Sequence, residues 1–291
     1  MKQIVSIFKI SLSNGTQLMA SLKLFKNSFR FFRNKRQAQI FGLLCLSSFF
    51  DCLLVAYRSY YIDFHFDIIQ SPRDLFHTRG VYGTFSFLIW NLFLAWIPYL
   101  IALVLVFFDR RYPPSSLKGI LSAKKESCGQ RKPLDWTVFW IIGLLTAWLL
   151  FFPNAPYLVT DLLHLQNRFV VPHWYDVMVF TAFAWTGLLL GFCSLAIVQA
   201  YLGQYLNHFW IQGLSFFAIV LGGFGVYMGR FQRWNSWDIL DDPLQILRQQ
   251  VHVLRHYDQY LNTLGMSVVM AGFLLTSYWT LQVLARADKS A

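Results

Sequence analysis

Asp161, His164, His173 and Asp176 place two carboxylates and two imidazoles in one short stretch of the chain. Such a set can hold a catalytic metal with an open position, or divide the acid and base roles of a reaction. The spacing matches no recognised metal motif. The same residues also fit a plainer arrangement, in which Asp161 caps or solvates a helix end while His173 and Trp174 anchor at an interface.

A second group is Arg230, Arg233, Trp234, Asn235, Trp237 and Asp238. Planar guanidinium forks recognise phosphate and carboxylate, and indoles pack against an acyl chain or a sugar. The ligand this group suggests is an anionic lipid or a lipid-linked phosphate. Arginine and tryptophan also serve as ordinary anchors at membrane surfaces. Asn154 and Tyr157 extend the candidate ligand-binding set. Two further polar residues, Asp51 and Asn91, stand inside apolar runs.

Several chemistries are excluded by absence. The chain has one glutamate, Glu126, so no helical His-Glu-x-x-His zinc site exists. Cys45, Cys52, Cys128 and Cys193 form no Cys-x-x-Cys pair. No Walker A loop or dinucleotide fingerprint occurs, and no histidine lies at mid-span to clamp a haem. No cofactor is therefore identified, and no metal.

Composition says where these groups must be held. Of the 291 residues, 56% are hydrophobic and only 13% charged, far from the roughly 25% charged of soluble domains. Six stretches suffice for the ~20 residues of a bilayer crossing. They are Ala38–Tyr57, Val81–Phe108, Trp136–Phe152, Asp176–Ala200, Phe209–Met228 and Leu264–Ala285. The net charge of +11 resides in the segments between them, the pattern of a basic membrane protein rather than a nucleic-acid binder. The N-terminal segment, the second loop and the tail hold most of the 25 Lys and Arg. Both termini are accordingly expected in the cytoplasm. Residues 1–37 read as a basic amphipathic segment or a floppy basic tail, 38–285 as the transmembrane domain and 286–291 as a short tail.

Pro153-Asn154-Ala155-Pro156 stops the third span, and a short helix is expected to restart after Pro156. That helix would set Tyr157, Asp161, His164 and Arg168 on one face, with Asn154 capping freed backbone groups. A second interfacial helix is expected after Asp241-Asp242-Pro243, with an apolar stripe of Leu244, Leu247, Val251, Leu254 and Leu261. At about 1.5 Å per residue, Asp51 and Asn91 reach matching depths in the first two spans. Asp51 is therefore expected to accept a hydrogen bond from Asn91, which lowers the cost of a carboxyl at that depth.

Several motifs in one order resemble a known family. They are Trp90–Pro98, the Phe-Pro-Asn-Ala-Pro-Tyr run from Phe151 with its Thr-Asp-Leu-x-His continuation, Trp174-Tyr175-Asp176, Ala184–Gly191 and Gly229–Asp238. The chain resembles the domain of unknown function 1361 family over roughly Val81 to the sixth span. The resemblance implies a multi-pass bacterial membrane protein and carries over no catalytic residues. The expectation is an all-α bundle of about six transmembrane helices with short interfacial helices, in a bacterial inner membrane. It would bind or handle a membrane-associated or anionic ligand at its outer face. An enzyme acting there on a lipid-linked substrate, and a transporter or channel subunit using Asp51 and Asn91, are the alternatives.

Overall fold

The computed structural model of the chain describes residues 35–66, 85–111, 136–165, 171–234, 236, 238–255 and 257–287. The expectations for most of the basic N-terminal segment, the second loop, Arg168, Asn235 and Trp237 fall outside these residues. Among the described residues the chain is helical and has no strand. It divides into two compact units, Met1–Leu46 and Ser47–Ala291. The described part of the first, from Lys35 onward, is helical.

In chain order the elements are α1 (Lys35–Phe66), α2 (Ser86–Arg111), α3 (Trp136–Phe151), α4 (Asn154–Thr160), a 3-10 turn (Asp161–His164) and α5 (His173–Leu202). They continue with α6 (His208–Phe231), α7 (Asp238–Asp241), α8 (Pro243–Arg255) and α9 (Tyr257–Ala287). Six segments are long and apolar enough to cross a membrane: α1, α2, α3 continued through α4, α5, α6 and α9. Five of them contain an expected span whole; the other, Ser86–Phe108, contains the described part of Val81–Phe108 from Ser86 onward. The molecule is an integral membrane protein by this measure, and its exposed surface agrees. Leu53, Phe93, Phe139, Trp185, Phe217 and Val268 are all open, each on a different helix. Apolar exposure of that extent suits lipid, not water.

The second unit is organised around α5. Of its most apolar window 67% is buried, against 39% for α2 and less for the others. α5 packs on α2 and α4, while α6 packs on α9 and α4. α1 is tied to its neighbours through side chains. Trp96 Nε1 of α2 donates to Ser48 Oγ at 3.0 Å, and the Ser47 and Thr186 hydroxyls lie 2.6 Å apart. Near the other end Tyr175 OH donates to the Leu54 carbonyl at 2.8 Å.

The break after α3 is where the fold turns toward function. Pro153 ends the helix, yet α4 begins at Asn154 rather than after Pro156. Pro156 sits in the first turn of α4, where its missing N–H has no helical partner to lose. Asn154 does not act as the cap, because it is already the first helical residue and its side chain is used elsewhere.

Small residues let α4 wedge between α5 and α6. A Cβ added at Gly187 of α5 would lie 2.5 Å from the Ala155 carbonyl oxygen. One added at Gly225 of α6 would lie 2.5 Å from Pro153 Cγ. Backbones approach this closely only where no side chain intervenes, the usual device of packed helices in lipid. On another face of α6, Gly223 meets the α9 backbone at Ser267 and Ala271 in the same way.

The second interfacial helix forms as expected at its start. Pro243 is its first residue, and Asp242 Oδ1 accepts from Gln245 N–H at 3.0 Å. Its inward residue is Ile246, 6% exposed, whereas Leu244 and Val251 of the expected stripe are exposed. That stripe also ends sooner, since Leu261 belongs to α9.

Candidate functional site

Asp161 opens the 3-10 turn after α4 and is completely buried. Two helices supply its partners. Asn91 Nδ2 of α2 donates to Oδ2 at 2.8 Å, and Arg230 Nη1, at the end of α6, donates to Oδ1 at 3.1 Å. Arg230 also donates through Nη1 to the Tyr157 hydroxyl at 3.1 Å and through Nη2 to the Thr160 carbonyl at 2.6 Å. Its guanidinium carbon stands 5.3 Å from the centre of the Tyr157 ring. Only 9% of the Arg230 side chain is exposed. A buried charge pair is tolerable when its remaining donors and acceptors are engaged, and here both Asp161 oxygens and three of the Arg230 N–H groups are.

This network lies beside a cleft of about 510 Å³. One wall is the end of α3, with Thr146, Leu149 and Leu150; the facing wall is α6 from Leu221 to Gly229. Trp90, Asn91 and Leu94 of α2 line it, and Pro153, Asn154 and Tyr157 lie between the walls. The two walls barely touch each other, so the cleft is the space that α4 holds open between them. Trp90 at its margin is 56% exposed.

The segment after α6 covers one side. Arg233 adopts a left-handed backbone, φ 59°, a conformation that helix ends use to reverse the chain. This turn brings Trp234 N–H to the Met228 carbonyl at 3.2 Å. Trp234 Nε1 then donates to Gln249 Oε1 of α8 at 2.6 Å, and Gln250 Nε2 donates to Gln232 Oε1 at 2.6 Å. Ile246 of the same helix completes the lining. Ser236 Oγ donates to the Leu150 carbonyl at 3.1 Å while accepting from Asn154 Nδ2 at 3.3 Å.

The candidate residues therefore separate. Asn91, Asn154, Tyr157 and Trp234 line one cleft, with Asp161 and Arg230 behind it. The expected Asp51–Asn91 hydrogen bond is absent: Asn91 is committed to Asp161, and neither Asp51 oxygen has a hydrogen-bond partner. Equal depth did not suffice, because the side chains point to different neighbours. Asp51 is buried on α1, with the Ser47–Thr186 hydroxyl pair one turn away.

Asp176 does not join Asp161 either. It takes Arg58 of α1 in a fully buried fork, with Nε to Oδ1 at 2.7 Å and Nη2 to Oδ2 at 3.2 Å. Phe85 stacks on that guanidinium at 3.7 Å and has a positive φ of 60°. His164 and His173 are exposed, the former with its ring 5.3 Å from that of Phe87. Among the described residues no three His, Cys, Asp or Glu side chains assemble as a metal site. Arg233 is exposed and Asp238 begins α7; neither lines the cleft.

Sequence reasoning missed Arg58, which lies just past the expected first span, the cleft residues Trp90, Thr146 and Ser236, and Gln249, which holds Trp234. Arg58 had one available signal: it stands seven residues from Asp51, on the same helical face as a second buried polar group.

The chain belongs to the family described as Protein of unknown function (DUF1361), whose model matches residues 90–276. The matched region includes every described residue that lines the cleft. No curated protein and no solved structure matches the chain.

Proposed function

We propose, starting from a membrane-embedded member of this family, that the cleft between α3 and α6 binds a membrane-resident amphiphile by its polar end. The protein then handles that molecule at the outer face of a bacterial inner membrane. Both termini are cytoplasmic in this reading, and the end of α3 that forms one wall of the cleft faces outward. The observation that carries it is the mixed lining of a 510 Å³ space between two helices that hardly meet. Leu94, Leu149, Leu221 and Phe224 offer an apolar depth, while Asn91, Asn154 and Tyr157 gather at one part of the wall. Small-molecule sites have this size and this pattern of a few polar groups in an apolar surround.

Filling the cleft tests the reading. Thr146 is an exposed wall residue, so Thr146→Trp adds bulk there without disturbing the core. Purified in mild detergent, the natural protein is expected to retain a defined lipid detectable by mass spectrometry. The variant should retain several-fold less while keeping its helical content and elution volume. Equal retention by both, or none by the natural protein, would remove the proposal.

A further inference from the structure

The hydrogen bonds around the cleft fix which polar atoms remain for a ligand, and thereby the class of head group. None of the described residues lining it is an aspartate, glutamate, lysine, arginine or histidine. Arg230, the cation behind the wall, is already matched by the Asp161 carboxylate, the Thr160 carbonyl and the Tyr157 hydroxyl. A phosphate placed here would lose water without gaining a cation from the described lining, and an unpaired buried charge is costly.

The remaining atoms can be assigned one at a time. Asp161 as a carboxylate only accepts, so Asn91 must turn its amide nitrogen toward it, leaving its Oδ1 and its second amide hydrogen unassigned among the described residues. The Ser236 hydroxyl hydrogen goes to the Leu150 carbonyl, so Ser236 can only accept from Asn154. Asn154 is thereby oriented in the same sense, with its Oδ1 and its second amide hydrogen unassigned. Tyr157 oxygen receives an Arg230 N–H, which leaves its own O–H to donate. Two carbonyl acceptors, the second hydrogens of the same two amides, the phenolic O–H and the Thr146 hydroxyl call for a partner that both donates and accepts. Hydroxyl groups do both; a phosphate ester oxygen only accepts.

We infer that the cleft selects an uncharged, hydroxyl-bearing head group, the glycosyl or glycerol end of a lipid, over a phosphate-bearing one. This rests on the cleft being a lipid site, as proposed above. The exposed Trp90 at the margin suits such a ligand, since an indole gives a flat apolar surface at the boundary between chain and head.

The test is competition in native mass spectrometry, with the full chain presented with equal amounts of a monoglucosyl diacylglycerol and a phosphatidic acid of the same acyl chains. The glucosyl lipid is expected to dominate by at least about tenfold, a preference worth one or two hydrogen bonds. Asn154→Leu, which removes one acceptor, should cut that preference several-fold. Plain diacylglycerol binding as well as the glucosyl lipid would support the inference, with glycerol as the recognised part. Phosphatidic acid binding equally or better would overturn the inference yet leave the cleft as a lipid site. Binding of none of the three would overturn the cleft reading itself.

Discussion

Asp161 and Asp176 are near one another in sequence, yet each takes an arginine from a distant helix, 69 residues away for Arg230 and 118 for Arg58. The pairing converts two apparent acid groups into structural charges, and its energetics are asymmetric. Removing Arg230 alone leaves a buried carboxylate with only the Asn91 amide, which should cost about 3–5 kcal/mol. Removing both charges leaves no uncompensated ion. Thermal unfolding in detergent is therefore expected to fall sharply for Arg230→Ala and to recover in large part in Arg230→Met with Asp161→Leu. An Arg230→Ala protein as stable as the parent would show that the pair carries no weight. Sequence reading identified both aspartates and Arg230 as special. It could not assign partners, because a contact across 69 or 118 residues leaves no local periodic trace. The Asp51 expectation failed for a related reason: rise per residue gives depth, whereas hydrogen bonding also requires that the two side chains face each other.

At the level of elements, the decisive piece is α4. Its existence was legible, since paired prolines after an apolar run stop a helix and permit another to start. Its start was misjudged by three residues because Pro156 was taken as a boundary rather than a first-turn residue. What holds α4 was not legible, because a glycine in a membrane helix looks alike whether it faces lipid or a neighbour's backbone. Gly225 and Gly213 of α6 show the difference. At Gly225 an added methyl would meet Pro153 at 2.5 Å, while at Gly213 nothing lies within 4 Å. Gly225→Ala should thus push α4 out of place, costing about 1–3 kcal/mol as overpacking does, and lower lipid retention by distorting the cleft. Gly213→Ala should be neutral or stabilising by up to about 1 kcal/mol through helix propensity. Similar melting temperatures for the two variants would argue against the wedge.

For the whole molecule, hydropathy alone located the six spans to within a few residues at most ends, because a bilayer imposes length and polarity on any helix that crosses it. Orientation is a separate matter, set by where Lys and Arg accumulate, and it decides which leaflet can feed the cleft. The second loop is basic and contains Cys128, so this native thiol should lie in the cytoplasm. The exposed Asp241, in the stretch that covers the cleft, should lie outside. In intact cells a membrane-impermeant maleimide is expected to leave the natural protein unlabelled and to label Asp241→Cys; permeabilisation should then expose Cys128. Cys45, Cys52 and Cys193 sit within the apolar helices, where a charged reagent does not reach. The reverse pattern, with Cys128 labelled in intact cells and Asp241→Cys protected, would turn the bundle over. The cleft would then open on the cytoplasmic side and draw its ligand from the inner leaflet. The head-group preference would be unaffected, since it depends on the donors and acceptors of Asn91, Asn154 and Tyr157 and not on which side they face.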